Sequence, residues 1–147
     1  MAENLYRGYR RRGGDRGAQL AAYLERLPRR TNPSVFEERD LERERRGVEA
    51  FVKARCQVCH TFPAFTNLSQ HPVSALFSGG GLHAERQEVL DTPSLLNVWE
   101  SAPFLFDGRA ASLEDVLVEH NADNRHGDTA RLTEEERADL VHFLETL

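Results

Sequence analysis

The sequence predicts an all-α chain whose long loops need something other than a sheet to hold them. Three observations predict it. Two capping patterns open helices late in the chain, an apolar helical period leads into the chain's two cysteines, and no stretch shows the alternation of a half-buried strand.

Residues 18–27, "AQLAAYLERL", read as an amphipathic helix, and residues 138–147, "ADLVHFLETL", repeat it, with Phe143 answering Tyr23. Helices rich in Leu, Ala and Glu also match by chance. The organisational reading makes residues 1–27 the last helix of a preceding, related domain. "PRRTNP", with a proline at each end, then places a linker at 28–35, and residues 36–147 form the main domain. Within it, Leu41, Gly47, Val48, Phe51 and Val52 recur at helical spacing, which predicts a helix from about Phe36 to Arg55 with the cysteine motif at its C-terminal end. Gly47 lacks a side chain and would let this helix cross closely against the last one near Phe143; an ordinary helix-interior glycine is the plainer alternative.

Residues 61–94 are punctuated by Pro63, Pro72, Gly79 to Gly81 and Pro93, and predict loops. "SLED" from Ser112 opens a helix that puts Leu113, Val116, Leu117 and His120 on one face. "TEEE" from Thr133 opens the final helix, with Leu140, Phe143, Leu144 and Leu147 as its apolar stripe.

At 147 residues the chain holds one domain with a core, plus an appendage. A net charge of −5 argues against a nucleic-acid partner, which calls for a basic surplus or stripe. The run "EERDLERERR" alternates sign within single turns and reads as a solvated helix face. No window suits a transmembrane helix, and "MAENLYRGYRRRGG" lacks the apolar core of a secretory signal.

"RCQVCH", residues 55–60, carries the chemistry. Cysteines three apart on one turn can each form a thioether with one of the two vinyl groups of a haem, and the next residue then lies beside the iron. Cys56 and Cys59 would hold the macrocycle, and His60 would be the proximal ligand. A zinc site needs four ligands, usually from two paired clusters; completing one from His60, His71 or His83 gives none of the usual spacings. A thioredoxin-like pair lacks its βαβ surroundings, and two buried thiols beside a chance histidine remain the plain alternative. Haem attachment is the leading reading. It also accounts for the sheetless loops and the modest 39% hydrophobic content, with the porphyrin as core and Phe62, Phe65, Leu68, Leu76, Phe77, Leu95, Leu96, Trp99, Phe104 and Phe106 wrapped around it.

The sixth ligand separates a closed electron carrier from an open, peroxide-reactive iron. Methionine is confined to Met1. His120 is the first candidate, because its helix would aim it at the surface that Leu113, Val116 and Leu117 bury; a core-edge histidine bonded to a carbonyl is the alternative. His71 comes second and His83 third, while His126 and His142 read as exposed polar positions.

"CQVCHTFPAFTN", "DTPSLLNVWESAPFLFDGRAASLEDVL" and "LTEEERADLVHFLETL", in this order, resemble the C-terminal haem domain of the bacterial dihaem cytochrome c peroxidase and MauG-type family, over about Gly47 to Leu147. The resemblance implies a cytochrome c-like helical domain with long loops around one covalent haem c, and an upstream haem domain or redox protein as electron-transfer partner. It makes the chain an electron relay alone and a peroxidase only within a dihaem enzyme. In the family the distal ligand is Met or Tyr after the "SLED" helix; His120 matches that position. The departure implies a bis-histidine iron of lower potential than a His/Met one. Family members often carry Tyr, an apolar residue and His before "DG", where Phe104, Leu105 and Phe106 stand here. Arg109 in "DGRAAS" suits a haem propionate, an ordinary loop arginine being the alternative; Asp107 and Gly108 read as turn residues. Haem attachment also implies a periplasmic or otherwise extracytoplasmic location. With no signal in the chain as written, a fragment of a longer protein is expected.

Overall fold

A computed structural model describes residues 16–28, 30–36, 38–76 and 88–147 of the chain. Contacts divide the chain into two units, Met1–Thr31 and Asn32–Leu147. In the first, α1 (Arg16–Arg26) is amphipathic, and Leu20, Tyr23, Leu24 and Leu27 stand exposed.

The second unit is built on two helices, α2 (Leu41–Lys53) and α5 (Glu134–Glu145), with the short helices α3 (Val73–Leu76) and α4 (Leu113–Leu117) between them in the chain. Gly47 sets how closely α2 and α5 approach. A Cβ placed there would lie 2.3 Å from the Asp139 carbonyl oxygen and 2.5 Å from Phe143 Cβ, so only glycine admits this crossing. Around it Ala50, Phe51, Ala54, Leu140, Phe143 and Leu144 form the core, with Val98, Leu113, Leu117 and Leu132 packed in from the loops and α4.

The sequence-expected helix from Phe36 to Arg55 is shorter in the structure. Pro33–Phe36 makes a separate 3-10 turn, and α2 starts only after Asp40, whose carboxylate accepts the Arg43 N–H at 2.9 Å. Apolar periodicity does not reveal such a cap, which is why the expected start ran early. At the other end Arg55 is left-handed, with φ 62°, so Cys56–Val58 begins a new 3-10 turn rather than finishing the helix.

Both capping boxes form as read. Ser112 accepts the Asp115 N–H while Asp115 accepts that of Ser112, and Thr133 and Glu136 do the same. The charged run proves more than a solvated face. Asp139 on α5 is buried and accepts from Arg43 Nε at 3.1 Å and Arg46 Nε at 2.6 Å, while Lys53 Nζ reaches Glu136 at 2.6 Å. These pairs tie α2 to α5 beside the glycine crossing.

The chain is mostly helical. One small sheet departs from the expectation of none: β1 (Gln70–Pro72) pairs antiparallel with β2 (Val89–Asp91), placing His71 opposite Leu90. Strands of three residues are too short to display a period of two. Phe77, Gly79 to Gly81 and His83 lie outside the described residues.

Candidate haem site

His60 is buried, and its ring is oriented by the chain itself. Its Nδ1 lies 3.1 Å from the Phe65 carbonyl oxygen. A carbonyl only accepts, so Nδ1 carries the proton in this hydrogen bond. Phe65 can serve because it is left-handed, with φ 50°, while its ring is held edge-on by Phe51, Phe62 and Phe143. The helix-pair core thus sets the tautomer of the histidine. Burial pushes the His60 imidazole below its ordinary value, against the Phe65 and Pro93 carbonyls, which favour the proton. Neutral imidazole is the ligating form.

Cys56 and Cys59 share the turn before it, joined by the Cys59 N–H donating to the Cys56 carbonyl at 3.2 Å. Both are free thiols, and burial pushes that of Cys56 up to about 11. The His71 ring on β1 brings Nε2 to 3.8 Å from Cys59 Sγ.

The histidine whose ring meets that of His60 is His126. Their ring centres are 6.3 Å apart and the planes tilt by 52°. The expectation that His126 is an exposed polar residue therefore fails: burial, with His60 and His71 nearby, pushes it down to about 4. Nor is His142 exposed; it is half-buried on α5. His120 is half-buried too, but no ring contact or electrostatic interaction joins it to His60 among the described residues. α4 ends at Leu117 and the chain passes into a 3-10 turn at Glu119–Asn121, so the helical phase that aimed His120 inward stops short of it. A sequence signal for His126 did exist: it stands before Gly127 in a turn-rich stretch, "NADNRHGD".

Arg109 is engaged within its own loop. Its Nε lies 2.7 Å from Asp107 Oδ2, the pair holding Asp107 below the usual carboxylate range, and its guanidinium sits 5.5 Å from the Phe106 ring centre. Asp107 is thus more than a turn residue. The loop is closed by a bridge between Phe104 and Ala110.

The donor set suits a covalently held haem. Two thiols share one turn, and an oriented neutral imidazole follows them. Phe62 (77% exposed) and Leu68 (59% exposed), on the loop leaving the motif, are apolar surface of the kind a macrocycle would cover. Among the described residues no group of three His, Cys, Asp or Glu side chains converges to hold a bare metal ion.

Comparison with known proteins gives a partial likeness. The chain is similar to MauG. Over 120 residues it is 32% identical to the methylamine utilization protein MauG of Methylorubrum extorquens, an alignment covering 70% of this chain and 34% of MauG. The chain thus spans about a third of the length of MauG. No family model and no solved structure matches it.

Proposed function

We propose that this chain is a c-type haem electron-transfer domain, with one haem attached through Cys56 and Cys59 and ligated by His60. The relation to MauG supports a haem-related redox role at the coarse level. One observation carries the finer reading: directly after two cysteines on one turn, the buried His60 is oriented by its Nδ1 hydrogen bond to the Phe65 carbonyl.

The haem, when bound, supplies an iron that changes by one electron. The residues bind and orient it. Cys56 and Cys59 would fix its position covalently, His60 would offer a ring nitrogen to the iron, and Phe62 and Leu68 would exclude water from its apolar faces. Arg109 would reach a propionate by exchanging Asp107 for it, one carboxylate for another. On this reading, residues 1–27 are the end of a preceding cytochrome c-like domain, residues 28–35 a linker and 36–147 a cytochrome c-like domain. The redox partner is that upstream domain or a separate protein, maturation is periplasmic, and peroxidase activity arises only in a dihaem assembly.

The test is expression of the full chain with a haem-attachment system, followed by intact mass and a visible spectrum. The expected result is one covalent haem per chain, lost in a Cys56→Ser, Cys59→Ser variant, with bands that change reversibly on dithionite reduction. A colourless protein carrying stoichiometric zinc would replace this reading with that of a zinc-stabilised binding module.

A further inference from the structure

We infer that His126 is the sixth ligand of the iron, closing the site opposite His60. The inference rests on the haem reading above and deepens it.

Its first support is the spacing of the two rings. A transition metal sits about 2 Å from an imidazole nitrogen, and the ring centre lies about 1 Å further on, so two imidazoles facing each other across one metal have centres about 6 Å apart. The rings of His60 and His126 are 6.3 Å apart. The His60 ring is held in place by its Nδ1 hydrogen bond to the Phe65 carbonyl. The separation is that of two imidazoles sharing one metal.

The second support is independent of the rings. The segment carrying His126 is tied down as a metal-ligand loop needs to be. Buried Asn121 lies at its centre: Oδ1 accepts the His126 N–H at 2.7 Å, and Nδ2 donates to the Gly127 carbonyl at 3.0 Å and to Thr129 Oγ1 at 2.7 Å. Thr129 in turn donates to the Leu117 carbonyl at 3.0 Å. The loop is also seated on the haem-attachment turn. The Asp128 N–H donates to the Ala54 carbonyl at 2.8 Å, and Gly127, at φ +79°, lies so close that a Cβ there would sit 3.3 Å from that oxygen and 3.5 Å from Cys56 Sγ. Arg125 reaches across to the Ser74 carbonyl at 3.0 Å. The backbone on both sides of His126 is thereby fixed relative to Cys56.

The other described histidines are placed differently. His71 faces Cys59 Sγ, no ring contact among the described residues joins His120 to His60, and His142 lies on α5, where it acts electrostatically on Glu44.

The experiment uses the full chain matured with haem, in wild-type, His126→Ala, His126→Met, His120→Ala and His71→Ala forms. Intact mass reports attachment, and electron paramagnetic resonance with visible absorption reports spin state. The expected result is a low-spin ferric wild type, and complete loss of that signal to high-spin iron in His126→Ala, with low spin restored by added imidazole. Low spin survives in His120→Ala and His71→Ala. His126→Met keeps a ligand of similar reach, so it guards against a misfolded alanine variant: it should remain six-coordinate with a raised reduction potential. Haem attached and low spin retained in His126→Ala, with high spin in His120→Ala or His71→Ala, would move the ligand and overturn the inference alone. A wild type already high-spin would overturn it in favour of an open, peroxide-reactive iron. No covalent haem in the wild type would overturn the haem reading itself, and this inference with it.

Discussion

Gly47 and Asp139 show how single residues set the geometry beneath the site. Alanine at position 47 must push its Cβ against backbone, which cannot rotate away as a long side chain can. Gly47→Ala is therefore expected to destabilise the chain by about 1–3 kcal/mol, despite alanine's better helix propensity; urea unfolding measures it. Asp139 is expected to make part of the stability pH-dependent. Arg46 and Arg43 hold its carboxyl below the usual aspartate range in the folded chain. The unfolded chain binds more protons at this carboxyl, so the stabilisation is complete above about pH 4, the unfolded aspartate value, and fades as pH falls through the lower folded one. Asp139→Asn should lower stability at pH 7 by about 1.5–3 kcal/mol and flatten the acid limb of a stability-versus-pH curve. An unchanged acid limb would mean that other carboxylates dominate it.

Among the elements, the segment from Asn121 to Thr129 matters most, because it presents His126 without any helix or strand. One buried side chain, Asn121, makes three of the hydrogen bonds that order it. Asn121→Ala removes three hydrogen bonds at once and leaves Thr129 and two backbone groups to find other partners. A loss of about 1–3 kcal/mol is expected, with faster hydrogen exchange at the His126 amide while α2 and α5 stay protected. Exchange rising equally throughout would make Asn121 a global core residue and not a loop organiser. α4 depends on its cap in the same local way. It spans only Leu113–Leu117, and Ser112→Ala should cost about 1 kcal/mol by removing half of the capping box.

Across the molecule, the described chain leaves apolar side chains beside the cysteine motif while its own core sits between α2 and α5. Attachment of the haem is expected to cover Phe62 and Leu68. The protein made without haem should bind a hydrophobic dye that the mature protein excludes, and it should melt at a lower temperature, since a group held only by the folded state shifts the equilibrium toward it. Equal dye binding by the two forms would place the macrocycle elsewhere.

Features that depend on residues close together in the chain are legible without the fold. Cys56, Cys59 and His60 are legible because their chemistry needs neighbours on one turn, and the boxes at Ser112 and Thr133 because a cap and its partner are three residues apart. Even the close crossing at Gly47 was readable, since a glycine on an apolar helical face suggests a backbone approaching it. Other features emerge only when the chain is folded. The early start expected for α2 came from a period that says nothing of the Asp40 cap. The phase that aimed His120 inward assumed a helix that in fact ends at Leu117. The Phe65 carbonyl reaches His60 because Phe65 is left-handed, and the His126 ring arrives beside His60 on a hydrogen-bonded loop; apolar periodicity displays neither. Periodicity carries direction only as far as an element continues; past its last turn, packing and loop hydrogen bonds decide which side chain arrives.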